Sequence, residues 1–260
     1  MPVRLTILGS GSAGNCAYVE TEETRVLVDA GFSLRQIRKR LASIGRVPEN
    51  LTGILVTHEH GDHVQGLAAL SEELGIPIYC NRGTKEAMED QLQTGMDFRL
   101  FETGRGFDVG DIAVETFEIP HDALEPVGFL LRTNGGNIGF VTDLGLATKL
   151  VIWRVRPANV LILEANHDLQ MLLNCPTRPM RLKQRIHSRH GHLSNEAAAD
   201  AAEQIVSADL RHLYLAHLSR DCNRPELAYQ TVNDRLQKIG ACHLRLELTS
   251  QAQPCPTLNL

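Results

Sequence analysis

The chain has 260 residues, 43% hydrophobic and 22% charged, which excludes a disordered or fibrous polypeptide and allows one large domain. Its net charge of −5 does not favour general coating of nucleic acid, although a local basic strip can still grip a phosphate backbone. Six scattered cysteines without a C-x-x-C pair, no apolar run of 18 residues and no basic-then-apolar leader lead us to expect a reduced, cytoplasmic protein away from membranes.

In chain order, residues 4–8, 16–20 and 25–28 read as β strands, and Ser33 precedes an amphipathic helix running to residue 44. A short apolar strand over 54–57 ends directly at His58. A helix over 64–74, a strand over 77–80 and a helix over 84–93 follow. Strands then dominate at 112–119, 128–133 and 137–142, the last two joined by the hairpin signal Asn134-Gly135-Gly136. Afterwards α/β alternation resumes: strand 160–164, a helix over 194–206 capped by Ser194, strand 212–215 and helix 225–238. Two successive halves of this kind predict two sheets packed face to face with helices outside. No repeat of fixed period and no linker divides the chain, so residues 1–250 are expected to form a single domain and 251–260 a loosely attached tail.

Histidine is the informative residue, with 11 copies, because imidazole is both a common metal ligand and a proton carrier near neutral pH. The segment Thr57-His58-Glu59-His60-Gly61-Asp62-His63 follows a strand and concentrates three imidazoles and a carboxylate. In such a loop the alternate His58 and His60 point to one cation and Asp62 with His63 to a second; these N/O donors suit Zn²⁺ or Mn²⁺. Further polar residues interrupt apolar runs where strands should leave a sheet: His121, Asp143 and His217. Singly each is more often a cap or a turn; as a set with the first cluster they describe a metal site. Asp29, in VLVDAG, reads as buried support for the histidine loop.

The motif and its distant partners resemble the metallo-β-lactamase superfamily over nearly the entire chain. The segments GSGSAGNC (9–16), LVDAG (27–31), THEHGDH (57–63), PVGF (126–129), VTDLG (141–145), LEANHD (163–168), GHLSNEAAA (191–199) and LAHLSRDCNRPELA (215–228) resemble its YycJ/WalJ group. That group is bacterial and linked to DNA 5′-exonuclease activity, and it is related to ribonuclease Z and the cyclic-phosphate phosphodiesterases. The resemblance implies an α/β fold of the αββα sandwich type, two mixed sheets face to face with helices outside. It implies two divalent metal ions, Zn²⁺ foremost with Mn²⁺ as the alternative: the first held by His58, His60 and His121, the second by Asp62, His63 and His217, with Asp143 bridging. Histidine at position 60, where the di-iron redox branch has Glu, favours hydrolysis.

On this resemblance the chain is expected to be a dinuclear-metal phosphodiester hydrolase, a 5′-to-3′ exonuclease with DNA ahead of RNA as substrate, using a metal-bridging hydroxide as nucleophile. Asp62 would orient that nucleophile and His192 would give the leaving group its proton, as a histidine in the related phosphodiesterases does. A capping role for His192 is the plainer alternative. His167 reads equally as a substrate contact or as a hydrogen-bonding partner of a ligand. Ser12 and Asn15, in a glycine-rich turn, and Ser194 are the remaining candidate substrate contacts near the metals.

From residue 169 to 195 no acidic residue occurs, while Arg178, Arg181, Lys183, Arg185 and Arg189 do; Arg181 and Lys183 are taken as phosphate contacts on an extended insertion marked by Pro176 and Pro179. A solvated loop or a homo-oligomer contact explains the strip nearly as well. Two other functions stay open: a phosphodiesterase for a small or cyclic phosphate, and a metal-binding regulatory scaffold without turnover.

Overall fold

The computed structural model describes residues 3–88 and 96–260. Its first sheet opens with the antiparallel strands β1 (Arg4–Gly9), β2 (Cys16–Glu20) and β3 (Arg25–Val28). Helix α1 (Leu34–Ser43) then carries the chain to β4 (Gly53–Leu55), parallel to β3. Two short helices, α2 (Gly61–Val64) and α3 (Leu67–Leu74), lead to β5 (Ile78–Cys80), and beyond α4 (Arg82–Ala87) comes the parallel edge strand β6 (Phe98–Leu100). Parallel neighbours need crossovers of a dozen or more residues, which is why helices occupy these connections.

The second sheet repeats the scheme. Strands β7 (Gly106–Val109), β8 (Ile112–Glu118), β9 (Val127–Thr133) and β10 (Gly136–Val141) form an antiparallel meander. Helix α5 (Lys149–Val155) leads to β11 (Val160–Glu164); α6 (Leu169–Asn174), α7 (Met180–Ile186) and α8 (Asn195–Ile205) lead to β12 (His212–Ala216); α9 (Pro225–Lys238) leads to β13 (Arg245–Leu248). Strands β10 to β13 run parallel.

Three apolar clusters show the layering. One, with Val26, Leu55, Phe129 and Ile162, fills the space between the sheets. A second packs α1 and α3 against the first sheet through Ile37, Leu41 and Leu70. The third packs α5, α8 and α9 against the second sheet through Val151, Ala198, Ala202 and Val232. Together they make the expected αββα sandwich.

The tail departs from expectation. Residues 251–260 are docked: β14 (Leu258–Asn259) pairs antiparallel with β1, and the Cys255 and Leu260 N–H groups donate to Ile7 and Val3. Its polar, proline-spaced sequence hid a strand of only two residues, whose pairing partner lies some 250 positions earlier. Deleting 251–260 removes at least three such bonds, counting Val3 N–H to Leu260. At about 1 kcal/mol each, Tm should fall by roughly 6–12 °C in thermal unfolding.

Two helix expectations also change. The helix expected over 64–74 is broken at Gly66, whose N–H donates to Ala30 and where a Cβ would overlap the Phe32 carbonyl. Part of the helix expected over 84–93 lies outside the described residues.

Candidate metal centre

Both sheets present the C-terminal ends of their parallel strands to one edge of the sandwich, and the sequence-predicted donors converge there. His58 follows β4; His60 caps α2, which carries Asp62 and His63. His121 follows β8, Asp143 follows β10 and His217 follows β12. Three non-glycine residues of the described chain have positive φ, Asp29 (59°), Asp143 (59°) and His217 (55°), and each stands just past a strand end in this cluster. Such backbone is held only where surroundings over-determine it, and here it turns side chains into a shared centre.

Ligand-type atoms of His58, His60 and His121 lie within 4.8 Å of one another, as do those of Asp62, His63 and His217. Asp143 groups with His58 and His63, and also with Glu164, His192 and His217. The imidazoles are aimed by their outward nitrogens. His63 Nδ1 lies 2.8 Å from Asp29 Oδ2, and Asp29 also accepts the Thr57 N–H at 2.8 Å. His217 Nδ1 lies 2.9 Å from Glu164 Oε1, His121 Nδ1 lies 3.1 Å from the Gly191 carbonyl, and His58 Nδ1 lies 3.0 Å from Thr57 Oγ1. With Nδ1 spent outward, Nε2 is the donor left to face the centre. Asp29 therefore serves as the support read from the sequence. Gly31 completes the packing, since a Cβ there would overlap the Asp62 carbonyl.

The donor set fits divalent cations. His58 Nε2 is buried with no hydrogen-bond partner, and Asp143 Oδ2 lies 3.2 Å from His63 Nε2 but out of hydrogen-bonding line. Buried polar atoms left this way are costly unless another group satisfies them.

Protons balance charge among these side chains. Burial lowers the pKa of His63 and His217, but nearby carboxylates, Asp143 foremost, overcome it: His63 is held well above its usual value and His217 is pushed up to about 10. His58 goes the other way, kept neutral by burial and by His63. Cations entering this site must displace those protons, so metal uptake between pH 6 and 8 should release protons, and affinity should fall about tenfold for each pH unit lowered, per proton displaced. Calorimetry in buffers of different ionisation enthalpy measures this; uptake without proton release would contradict the ring assignments.

Glu164 is the residue that sequence reasoning undervalued. Fully buried at the end of β11, its Oε1 lies 2.9 Å from His217 Nδ1 and 2.8 Å from His192 Nδ1, while Oε2 accepts the Leu144 and Leu193 N–H groups. Burial would raise its pKa, but His192 and His217 hold it down at about 2. A carboxylate closing an otherwise apolar strand, VLILE, was the available signal. Glu164→Gln should weaken metal binding roughly 10–100-fold by loosening His217, read as metal retained after dialysis against a chelator.

His192 lines the cleft beside these donors, 3.7 Å from Asp143 Oδ1 through Nδ1. The other expectations divide. Ser12 lines the cleft. Asn15 is buried, its Nδ2 3.1 Å from His63 Nε2 and 3.4 Å from Asp62 Oδ2, so its side chain is spent within the donor cluster and does not line the cleft. Ser194 is spent as the cap of α8, accepting the Ala197 N–H. His167 is buried, its Nε2 3.4 Å from His187, and does not line the cleft.

The insertion expected to be extended folds as α6 and α7, with Pro179 capping α7. Lys183 is turned inward, Nζ donating to the Leu173 carbonyl, and Arg181 is exposed but lines no part of the cleft. Arg178 and Arg185 line it instead, Arg185 paired with Asp122.

Residues 24–218 match the family model described as Beta-lactamase superfamily domain, so fold and site together define a hydrolase class that carries divalent metal. The metallo-β-lactamase fold protein YhfI from Bacillus subtilis superposes with a TM-score of 0.74 at 17% identity, over 98% of this chain and 99% of that one. The exodeoxyribonuclease YycJ of Bacillus anthracis is 37% identical over 92% of this chain and 91% of its own length. WalJ, the exodeoxyribonuclease of Streptococcus pneumoniae serotype 2, is 38% identical over 90% and 88%. The chain belongs to the beta-lactamase superfamily and, within it, to the family of these two exodeoxyribonucleases.

Proposed function

We propose that this protein is a metal-dependent exodeoxyribonuclease that hydrolyses phosphodiester bonds from a 5′ end, with two divalent cations, Zn²⁺ foremost and Mn²⁺ the alternative. The observation that carries the reading is a double cluster of His and Asp donors at the floor of a cleft whose rim bears Arg178 and Arg185. His58, His60 and His121 would hold one cation, Asp62, His63 and His217 the other, and Asp143 would touch both. When bound, such a pair supplies Lewis acidity toward phosphoryl oxygens and a water acidic enough to deprotonate near neutral pH.

The chain's own residues do the rest. Asp62, one-quarter exposed and lining the cleft, offers a carboxylate that orients the attacking water. Arg178 and Arg185 offer planar forks of N–H donors to phosphate oxygens. His192, whose Nδ1 is engaged by Glu164, gives the leaving alkoxide its proton from Nε2. Among the described residues no helix is long and apolar enough to cross a membrane.

A panel of 5′- and 3′-labelled DNA and RNA oligonucleotides, with bis(p-nitrophenyl) phosphate and a cyclic phosphate beside them, tests the reading. Mononucleotide release from the 5′ end of DNA is expected; cleavage confined to the small esters would assign the site to small phosphodiesters instead.

A further inference from the structure

A second cavity adjoins the metal cleft and plays no part in holding metal. The metal cleft encloses about 250 Å³; the neighbouring cavity, about 520 Å³, lies between the turn of residues 10–13, the β12–α9 connection and residues 249–251. The two share Ser12 and Arg178, and no proposed metal ligand lines the second one.

Several of its polar groups are committed to the fold: Asn223 Nδ2 donates to the Ala165 and Asn166 carbonyls, and Thr249 Oγ1 donates to that of Leu215. What faces the space with donors to offer is Arg178, Arg220 and the exposed Ser12 hydroxyl. Arg178 is fixed by Asp221, Nη2 to Oδ2 at 3.2 Å, yet its Nε–H is buried without a partner. Leaving such a donor unpaired is costly, and a phosphate oxygen satisfies it. Asp221 contributes one opposing charge against two guanidinium groups, so the cavity keeps a positive balance. Its volume falls within the range of sites that enclose a small organic ligand.

We infer that this cavity is a subsite for the nucleotide adjoining the scissile bond, where Arg178 and Arg220 hold the next phosphate along the strand. The inference rests on the phosphodiesterase reading above and adds to it a reason for acting at a strand end: a terminal nucleotide bearing a phosphate fills the cavity and presents its linkage to the metals. Arg220 lines the cavity but not the metal cleft, which makes it the residue to test.

The experiment compares kcat/KM of the metal-loaded protein for the dinucleotides pTpT, TpTp and TpT. Of these, pTpT, whose terminal 5′ phosphate the cavity would hold, should be cleaved at least about tenfold better than TpT, the value of one charge-assisted hydrogen bond. In Arg220→Ala, at unchanged metal content, that ratio should fall to near one through KM. A ratio near one in the unaltered protein, or one that survives the substitution, overturns the subsite while leaving phosphodiester cleavage in place. Failure to cleave any of the three dinucleotides overturns the subsite; the phosphodiesterase reading falls only if the oligonucleotide panel is left uncut as well.

Discussion

His58→Ala loses bound metal and phosphodiester cleavage together. The residue is fully buried, its Nδ1 is fixed by Thr57 and its Nε2 has no hydrogen-bond partner in the protein. Alanine there removes a donor that touches both halves of the site, since His58 groups with His60 and His121 and also with His63 and Asp143. The loss is one of a ligand atom and not of charge, because burial and His63 keep the ring neutral. Metal-assisted hydrolysis depends on several kcal/mol of charge stabilisation, so activity should drop by about 10³-fold or more. Elemental analysis beside an oligonucleotide assay checks both halves of the expectation. Full metal content with lost activity would make His58 a substrate contact; full retention of both would exclude it from the site.

His192→Gln separates proton delivery from metal holding. The imidazole Nδ1 rests on Glu164 Oε1, and glutamine can keep a hydrogen bond to that carboxylate but cannot donate a proton to an alkoxide. Burial lowers the His192 pKa, but Glu164 and Asp143 overcome this and raise it, so the ring is protonated to higher pH than a free imidazole. Metal content should therefore stay at the unaltered level while turnover of a poor alkoxide leaving group falls roughly 10²–10⁴-fold. An ester with a p-nitrophenolate leaving group, which departs without a proton, should lose far less. Equal losses on the two substrates would show that His192 serves the geometry of the site alone.

Donor residues were legible where an apolar run stops and a His or Asp stands at the exit, as at Val56-Thr57-His58, Val141-Thr142-Asp143 and Leu215-Ala216-His217. Local pattern carries that information. Glu164 was harder, because its two imidazole partners lie 28 and 53 residues downstream, and only the fold brings them to one carboxylate. The basic insertion misled for a related reason. Read as extended, it gives Arg181 and Lys183 the same standing as Arg178 and Arg185; folded as α7 it turns Lys183 and Ile186 inward and leaves Arg185 on the cleft. Pro176 and Pro179 suggested extended chain, yet a proline before a first turn also starts a helix. Strands β6, β7 and β13 are three or four residues long and owe their state to a paired neighbour, so periodicity had little to register.

Matched sequence sets the superfamily and the family, and the two-cation arrangement is open to direct measurement. Diffraction from crystals of metal-loaded protein, with data on either side of the metal absorption edge, provides it. The account predicts two anomalous peaks, one within bonding reach of His58, His60 and His121 and one within reach of Asp62, His63 and His217, with Asp143 between them. A single peak, or peaks away from these side chains, would contradict it.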